Sequence, residues 1–287
     1  MKVNTNIISL KTQEYLRKNN EGMTQAQERL ASGKRINSSL DDAAGLAVVT
    51  RMNVKSTGLD AASKNSSMGI DLLQTADSAL SSMSSILQRM RQLAVQSSNG
   101  SFSDEDRKQY TAEFGSLIKE LDHVADTTNY NNIKLLDQTA TGAATQVSIQ
   151  ASDKANDLIN IDLFNAKGLS AGTITLGSGS TVAGYSALSV ADADSSQEAT
   201  EAIDELINNI SNGRALLGAG MSRLSYNVSN VNNQSIATKA SASSIEDADM
   251  AAEMSEMTKY KILTQTSISM LSQANQTPQM LTQLINS

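Results

Sequence analysis

Apolar side chains recur at helical spacing along much of this chain, and that periodicity limits the possible folds more than any other feature. Within residues 70–98 the spacing alternates between four and three residues without a break, through Leu72, Ala76, Ala79, Met83, Ile86, Met90 and Leu93. A second stripe recurs every seven residues on a neighbouring face, through Leu73, Leu80, Leu87 and Ala94. Two adjacent apolar stripes predict a helix that contacts at least two partners, as in a bundle or a coiled coil.

Proline and aromatic residues are scarce, and both deficits favour long helices. Pro278 is the only proline in the sequence, and an interior proline would cost a helix about 3 kcal/mol. The chain has no Trp, three Phe and six Tyr, which is poor material for an ordinary globular core. Aliphatic and Met side chains along helix faces can still build bundles, so the predicted fold class is mainly α.

Two further helices follow from the same kind of pattern. Asn99-Gly100 is predicted to end the first helix, because glycine tolerates the left-handed conformation, and Ser103 with Asp106 resembles a capping box. The next helix carries Tyr110, Phe114, Leu117, Leu121 and Val124, and the short link predicts an antiparallel helical hairpin. A long helix over residues 197–238 carries Ile203, Ile210, Leu217, Leu224 and Val231. Gly213, Gly218 and Gly220 within it permit either close helix approach or local flexibility.

The middle of the chain has a different texture. Residues 146–150 and 158–163 alternate with period two and are separated by a turn over residues 153–157, which predicts a small β-hairpin at about 146–163. Residues 165–195 are rich in Ser, Thr, Gly and Ala and are interpreted as a surface loop or short strands. A flexible linker is the alternative for that segment.

Both ends of the chain are amphipathic and predicted to be helical. The apolar candidates for coiled-coil or polymerisation contacts are Ile7, Leu10, Leu16, Met23, Leu30, Met250, Met254, Met257, Leu263, Ile268, Leu271, Leu281 and Leu284. Gly33 is a predicted C-cap, and Asp41 or Asp42 could cap a helix that begins at Ala43. A lone amphipathic helix cannot bury its own stripe, so we expect both ends to be disordered in a monomer and to fold against other chains.

Several function classes are disfavoured by composition. The net charge is −7 without a Lys/Arg-rich run, which argues against a nucleic-acid partner, and no apolar stretch approaches a membrane span. There are no cysteines, and His123 is the only histidine, so thiolate metal sites and the two-histidine zinc motif are excluded. Acidic residues show no paired pattern, and we therefore expect no catalytic or metal site, no cofactor and no enzyme activity. The first ten residues also lack the layout of a cleaved signal peptide.

Several long strings of this sequence carry recognisable motifs. Residues 30–39 (LASGKRINSS), 41–47 (DDAAGLA) and 87–96 (LQRMRQLAVQ) are the longest of them. They closely resemble the LSSGxRINSxxDDAAGxA signature and a second conserved segment of the bacterial flagellins. Further matches are residues 129–131 (NYN), 135–136 (LL), 244–249 (SIEDAD) and 272–279 (SQANQTPQ). The resemblance covers about 1–138 and 200–287. One departure is the end of the chain, Leu284-Ile285-Asn286-Ser287, where the family often ends in Leu-Leu-Arg.

The resemblance implies a layout and a function. Residues 1–39 with 246–287 would form an inner core that lines a channel as a terminal coiled coil, and residues 40–245 an outer core without large extra domains. The protein would be secreted unfolded through type III export and would polymerise with itself into the extracellular filament used for motility. Its other partners would be flagellar cap and hook-junction proteins and an export chaperone on the C-terminal segment. The alternative is a hook–filament junction protein, which has related terminal helices.

The resemblance also implies one recognition site. Arg89, Leu93 and Glu113 match family positions implicated in recognition by the innate immune receptor for flagellin. Two charges would fix orientation and the aliphatic residue would supply apolar contact. The alternative is that these three residues serve only packing between subunits.

Overall fold

The described part of the chain is dominated by helices, with short strand pairs near its middle. The computed structural model describes residues 6–137, 146–171, 173–175 and 181–285, with side chains at all of these except 104, 171, 173–175, 181–183 and 277–285. The elements in chain order are α1 (Ile7–Ser32), α2 (Ala43–Ser97), α3 (Asp104–Thr127), β1 (Asn129–Tyr130), β2 (Ile133–Lys134), β3 (Gln146–Gln150), β4 (Leu158–Asp162), α4 (Gly168–Ala171), β5 (Thr173–Thr175), β6 (Thr181–Ala183), a 3-10 turn (Tyr185–Ala187), α5 (Ala193–Glu246) and α6 (Met250–Ile285). The prediction of a mainly α fold with a small central hairpin is confirmed.

Helix boundaries follow local capping chemistry. The Gly45 N–H donates to the Asp42 carboxylate at 2.9 Å, so Asp42 caps a helix that begins at Ala43 as predicted. The capping box of Ser103 and Asp106 is confirmed, with both reciprocal hydrogen bonds present. The prediction that a left-handed Gly100 ends this helix is wrong. The helix α2 ends at Ser97, and among the described glycines only Gly33 has a positive φ.

Contacts divide the chain into two compact units, which are called the terminal unit and the central unit. The terminal unit comprises Met1–Ser56 and Ile236–Ser287, and the central unit comprises Thr57–Ser235. The boundaries fall within α2 and α5, whereas the sequence suggested domain limits at residues 39 and 246. That functional layout stays a prediction, because a division by contacts within one chain does not test it.

The central unit packs α2, α3 and α5 around a shared apolar core. Its largest fully buried side chains include the predicted stripe residues Leu73, Leu80, Met83, Leu87, Met90, Leu93, Phe114 and Leu121. Arg89 bonds Glu113, and the Arg107 guanidinium donates to the Ser97 carbonyl at 3.1 Å. A later residue of α2 thus contacts an earlier residue of α3, so the two helices run in opposite directions and the predicted antiparallel hairpin is confirmed.

The predicted β-hairpin forms and packs onto the helices. β3 and β4 are antiparallel, with Ile149 opposite Ile159 and Val147 opposite Ile161. Two glycines of α5 allow the hairpin region to pack close to the helix backbone. A Cβ on Gly220 would lie 3.0 Å from Ile161, and a Cβ on Gly213 would lie 2.6 Å from Phe164. Close approach therefore explains Gly213 and Gly220, while Gly218 has no such neighbour within 4 Å.

The segment after the hairpin is more than a surface loop. Short strands occur there as predicted, but Ala166, Tyr185, Leu188 and Val190 are buried in the central core, so a wholly exposed loop is wrong. The Tyr185 hydroxyl donates to Asp122 at 3.0 Å. Lys167 pairs with Asp126 and lies 3.7 Å from Asp137. These polar contacts join the segment to α3 and to the residues that follow it. Gly177–Ser180 lies outside the described residues.

Candidate assembly surface

Helices α1 and α6 lie side by side within the terminal unit and run antiparallel. The Asn6 amide donates to the Ala274 carbonyl at 2.7 Å, and the Asn19 amide donates to Ser267 at 3.1 Å. Farther along, Arg29 forms an ion pair with Glu253 at 3.3 Å. Later residues of α1 thus contact earlier residues of α6, which shows that the two helices run in opposite directions.

The seam between these helices is made of small and polar side chains. Ser9, Thr12, Ala26 and Ala274 are each at most 9% exposed. The helices also approach closely at Gly22, where an added Cβ would lie only 2.7 Å from the Tyr260 ring. These small residues bury little apolar area themselves, so hydrogen bonds and close packing hold the seam together with the half-buried Leu and Met side chains of both helices.

Most of the large apolar side chains of α1 and α6 point away from the seam. We call the following set the terminal apolar surface, with exposures of 39–66%: Ile7, Ile8, Leu10, Tyr15, Met250, Met254, Ile262, Leu263, Ile268 and Met270. These exposed side chains are the candidates for contacts with other chains.

The predicted polymerisation residues are distributed unevenly. Six of them, Ile7, Leu10, Met250, Met254, Leu263 and Ile268, belong to the terminal apolar surface and so do not form the seam. Leu16, Met23, Leu30, Met257 and Leu271 are half-buried. Leu281 and Leu284 lie on α6, but their side chains are outside the described part. A role of these residues in polymerisation stays a prediction.

Sequence reasoning missed several exposed residues of the same kind. Ile8, Tyr15, Ile262 and Met270 lie one or two positions away from predicted stripe members, and a wider apolar face would have included them. Leu40 is 92% exposed in the turn after α1. Beside it, backbone N–H groups of Ser38 and Asn37 donate to the Asp41 carboxylate at 3.0 and 3.2 Å and hold its pKa below the usual value.

The link between α1 and α2 is tied to the link between α5 and α6 by charge and backbone. Gly33 is left-handed at φ 72° and donates to the Arg29 carbonyl, which confirms the predicted C-cap. Lys34 lies 2.6 Å from Glu246, and that hydrogen bond is the main reason why the pKa of Lys34 is raised. The Arg35 N–H donates to the Glu246 carbonyl at 2.6 Å, so both links are held in register.

The three predicted receptor-recognition residues lie in the central unit. Arg89 and Glu113 form an exposed ion pair with an N–O distance of 2.6 Å. Leu93 is only 1% exposed, because α2 directs its side chain into the core. The role of these three residues in receptor recognition stays a prediction. Val95, two residues later and 48% exposed, is an apolar side chain that the surface does present.

Among the described residues, no group of three or more His, Asp or Glu residues is arranged to hold a metal ion. His123 is exposed on α3. None of the described helices is both long and apolar enough to span a membrane.

Family models cover both helical regions of this sequence. The model of the bacterial flagellin N-terminal helical region matches residues 3–141, and that of the C-terminal helical region matches residues 200–285. The flagellin of Halalkalibacterium halodurans is 43% identical over 266 residues, covering 93% of this chain and 92% of that protein. The flagellin of Bacillus subtilis is 39% identical and covers 99% of this chain and 100% of that protein.

Solved structures agree with this assignment. The crystal structure of Bacillus cereus flagellin is 33% identical in sequence, covers 58% of this chain and 88% of that chain, and superposes with a TM-score of 0.50. A candidate flagellar hook-associated protein from Vibrio parahaemolyticus reaches a TM-score of 0.60 over 72% of this chain and 100% of that chain, but at 16% identity this shows a shared fold alone. Since the terminal regions and nearly the full length both match, this chain belongs to the bacterial flagellin family.

Proposed function

We propose that copies of this chain assemble into the bacterial flagellar filament through the terminal apolar surface. Membership of the flagellin family makes the chain a structural, extracellular filament protein used for motility. The single observation that supports the proposed contacts is the exposure of large side chains such as Ile8 (66%) and Met270 (56%) on helices whose mutual seam is small and polar. A structural family also argues against catalysis, and we assign no enzyme activity and no cofactor.

Burial in a polymer supplies what a single copy lacks. Each large aliphatic side chain moved from water to an apolar contact gains about 1.5–3 kcal/mol, and a helical polymer repeats that gain at every subunit. The proposed layout places residues 1–39 with 246–287 in an inner core around a channel and residues 40–245 in an outer core. In a dilute monomer the ends are disordered, because the α1–α6 seam alone buries little apolar area.

Disordered ends also suit export and delivery. The chain passes unfolded through type III export with a chaperone on its C-terminal segment, and it adds to the filament beside cap and hook-junction proteins. The apolar residues of α6, including Met250 and Met254, are the surface that a chaperone would shield before export. Absence of cysteine keeps a narrow export path free of disulfide-linked species.

Seeded polymerisation tests the proposed contacts. Ile268→Asn places a polar group on the terminal apolar surface, whereas Ile268→Leu keeps an apolar side chain of equal volume at the same 54% exposed position. We expect Ile268→Asn to stay soluble after seeding and Ile268→Leu to form long fibres, as judged by sedimentation and electron microscopy. Equal fibre yields from the two variants would contradict the role of this surface.

A hook–filament junction protein is the second candidate, favoured by the shared fold with the candidate hook-associated protein. The two functions differ in what a purified chain does by itself. A filament subunit grows into long fibres on a seed, while a junction protein adds at most a short layer. Fibre length after seeding therefore decides between them.

Recognition by the innate immune receptor is a further part of the proposal. The exposed Arg89–Glu113 pair offers two charges at fixed spacing, and Leu93 acts only by supporting α2 from within. Arg89→Ala should lower the response of a receptor reporter cell to the soluble chain. A soluble chain that gives no response, or an Arg89→Ala variant with an unchanged response, would remove this role.

A further inference from the structure

The dipeptide Asn-Gly occurs twice in this chain, in two different backbone settings. Asn99-Gly100 lies in the link between the end of α2 at Ser97 and the start of α3 at Asp104, and both residues are exposed. Asn212-Gly213 lies inside α5, far from either end of that helix. The chain thus carries one labile dipeptide in a turn and an internal control in a helix.

We propose that Asn99 is a site of spontaneous deamidation that converts it to a mixture of aspartate and isoaspartate. The backbone nitrogen of Gly100 gives its proton to a base in water and attacks Cγ of Asn99. That attack closes a five-membered ring. The bond from Cγ to the side-chain nitrogen then breaks, and that nitrogen takes a proton from water and leaves as ammonia, so a succinimide remains. Water then opens the ring at either carbonyl, so one water is consumed, one ammonia is released and a carboxylate is gained.

Hydrogen bonds at Asn99 favour the first step. The Ser101 N–H donates to Asn99 Oδ1 at 3.0 Å, and the Ser101 hydroxyl donates to the same oxygen at 2.7 Å. Negative charge develops on Oδ1 as the Gly100 nitrogen adds to Cγ. Donors already aimed at that oxygen stabilise the charge without reorganisation.

The attacking nitrogen is accessible. Within the described residues no acceptor receives a hydrogen bond from the Gly100 N–H, and glycine has no side chain to shield it. A Cβ placed on Gly100 would meet nothing within 4 Å, which means that the surroundings are open. Rotation at Gly100 toward the geometry of attack meets no side chain, and it strains only hydrogen bonds of the link itself, such as that from the Phe102 N–H to the Asn99 carbonyl at 3.4 Å.

Asn212 is exposed as well, but its neighbour is held. Gly213 is buried, and an added Cβ there would lie 2.6 Å from Phe164. The helical backbone of α5 engages the Gly213 N–H in the helix ladder and fixes the torsions that ring closure must change. Reaction at Asn212 requires local opening of the helix first. The difference in rate between Asn99 and Asn212 is therefore set by the backbone and not by exposure of the Asn side chain.

The backbone of the α2–α3 link is held by a cation. The Arg107 guanidinium donates to the Asn99 backbone carbonyl at 3.3 Å and to the Ser97 backbone carbonyl at 3.1 Å. An isoaspartate adds one carbon to the backbone just before the capping box at Ser103, which lengthens the α2–α3 link.

Peptide mapping of the aged, full-length soluble chain tests this proposal. We expect conversion at Asn99 to be more than about tenfold faster than at Asn212 in the folded chain, because Asn212 waits for helix opening. In urea the two rates should converge, since both dipeptides are then unstructured. Equal rates in the folded chain, or faster conversion at Asn212, would overturn the proposal.

A matched variant separates this chemistry from loss of fold. Gly100→Ala adds a methyl group where space is free and φ is not left-handed, so the circular dichroism spectrum and melting temperature should not change. The methyl group shields the attacking nitrogen, and conversion at Asn99 should fall severalfold. Wild-type conversion at Asn99 in a normally folded Gly100→Ala chain would also overturn the proposal.

Discussion

The central unit and the terminal unit use similar helices but place their apolar side chains in opposite ways. In the central unit Leu80 and Leu87 are at most 1% exposed, and three helices share one core. In the terminal unit Ile8 and Ile268 are 66% and 54% exposed, while Ser9 and Thr12 fill the seam. The central unit also exposes Leu216 and Tyr226, at 62% and 79%, so the difference lies in the core. The central unit has an apolar core of its own, whereas the terminal unit leaves most of its large apolar side chains for the contacts with neighbouring copies that we propose.

The largest expected effect comes from truncating a core leucine. Leu87→Ala should lower the free energy of unfolding by about 2–5 kcal/mol, because it leaves a cavity among packed side chains. Ile268→Ala, on the terminal apolar surface, should change it by less than about 0.5 kcal/mol in the soluble chain. Urea unfolding followed by circular dichroism measures both, and similar losses would erase the distinction between the units.

A small addition to the α1–α6 seam should act only on the polymer. Gly22→Ala places a methyl group 2.7 Å from the Tyr260 ring, and such overpacking costs about 1–3 kcal/mol. We expect filaments to depolymerise at a lower temperature while the urea transition of the soluble chain stays unchanged. Removing the ring with Tyr260→Ala in the same chain should restore part of the loss. A shifted urea transition would show that the seam already contributes in the monomer.

The central unit should weaken at alkaline pH. Burial, and then the hydrogen bond to Asp122, raise the pKa of Tyr185 above its ordinary 10.0, so the folded chain keeps a proton that the unfolded chain loses. That contribution is complete below pH 10.0 and declines as the pH rises above it. The hydrogen bond to Asp126 is the main reason why the pKa of Lys167 is raised above 10.5. Its contribution to stability therefore also declines as the pH rises above that value.

Tyr185→Phe tests this pH dependence. The variant should lose about 1 kcal/mol near neutral pH with its hydrogen bond, and its stability should then fall less steeply at alkaline pH. Thermal melts across the alkaline range compare the two chains. Parallel declines in both would assign the alkaline loss to other groups.

The smallest effect is expected at the exposed Arg89–Glu113 pair. The two side chains are 48% and 44% exposed, so water screens their attraction and Arg89→Ala should cost less than about 1 kcal/mol. A double-mutant cycle with Glu113→Ala isolates the coupling, which should shrink further in high salt. A coupling comparable to the Leu87→Ala effect would mean that the surface of the central unit stabilises it as strongly as its core.

Much of the central unit could be predicted because its signals are local and strongly periodic. The Leu73, Leu80 and Leu87 repeat marks the core, and the alternating residues around Ile149 and Ile161 mark the hairpin. The predicted helix that begins at Ala43 and the stripe over residues 70–98 belong to one helix, α2. Their connection was not predicted, because the first half of α2 lacks a sustained apolar stripe. Burial of Tyr185 was missed because a single aromatic in a Ser- and Gly-rich segment has no period.

The terminal surface could be predicted only in outline. Apolar spacing marked α1 and α6 as amphipathic but could not say which face meets which partner. Residues such as Ser9, Thr12 and Ala274 form the seam, and small polar side chains at a helix contact leave no signal in a hydrophobic pattern. For Leu93, the motif match suggested a role in receptor recognition but gave no sign that the side chain is buried.

A seam built from hydroxyl, amide and alanine groups has a consequence for reversibility. When these two helices separate, hydrogen bonds to water replace most of those that are lost, such as the one from Ser9 to Asn275. Little additional apolar surface is exposed to water. The contact between α1 and α6 can therefore open and form again while exposing little additional apolar area. Under the proposed function, the pairing of α1 with α6 and the contacts between copies use different faces of the same helices, so the pairing can be remade before the contacts between copies form.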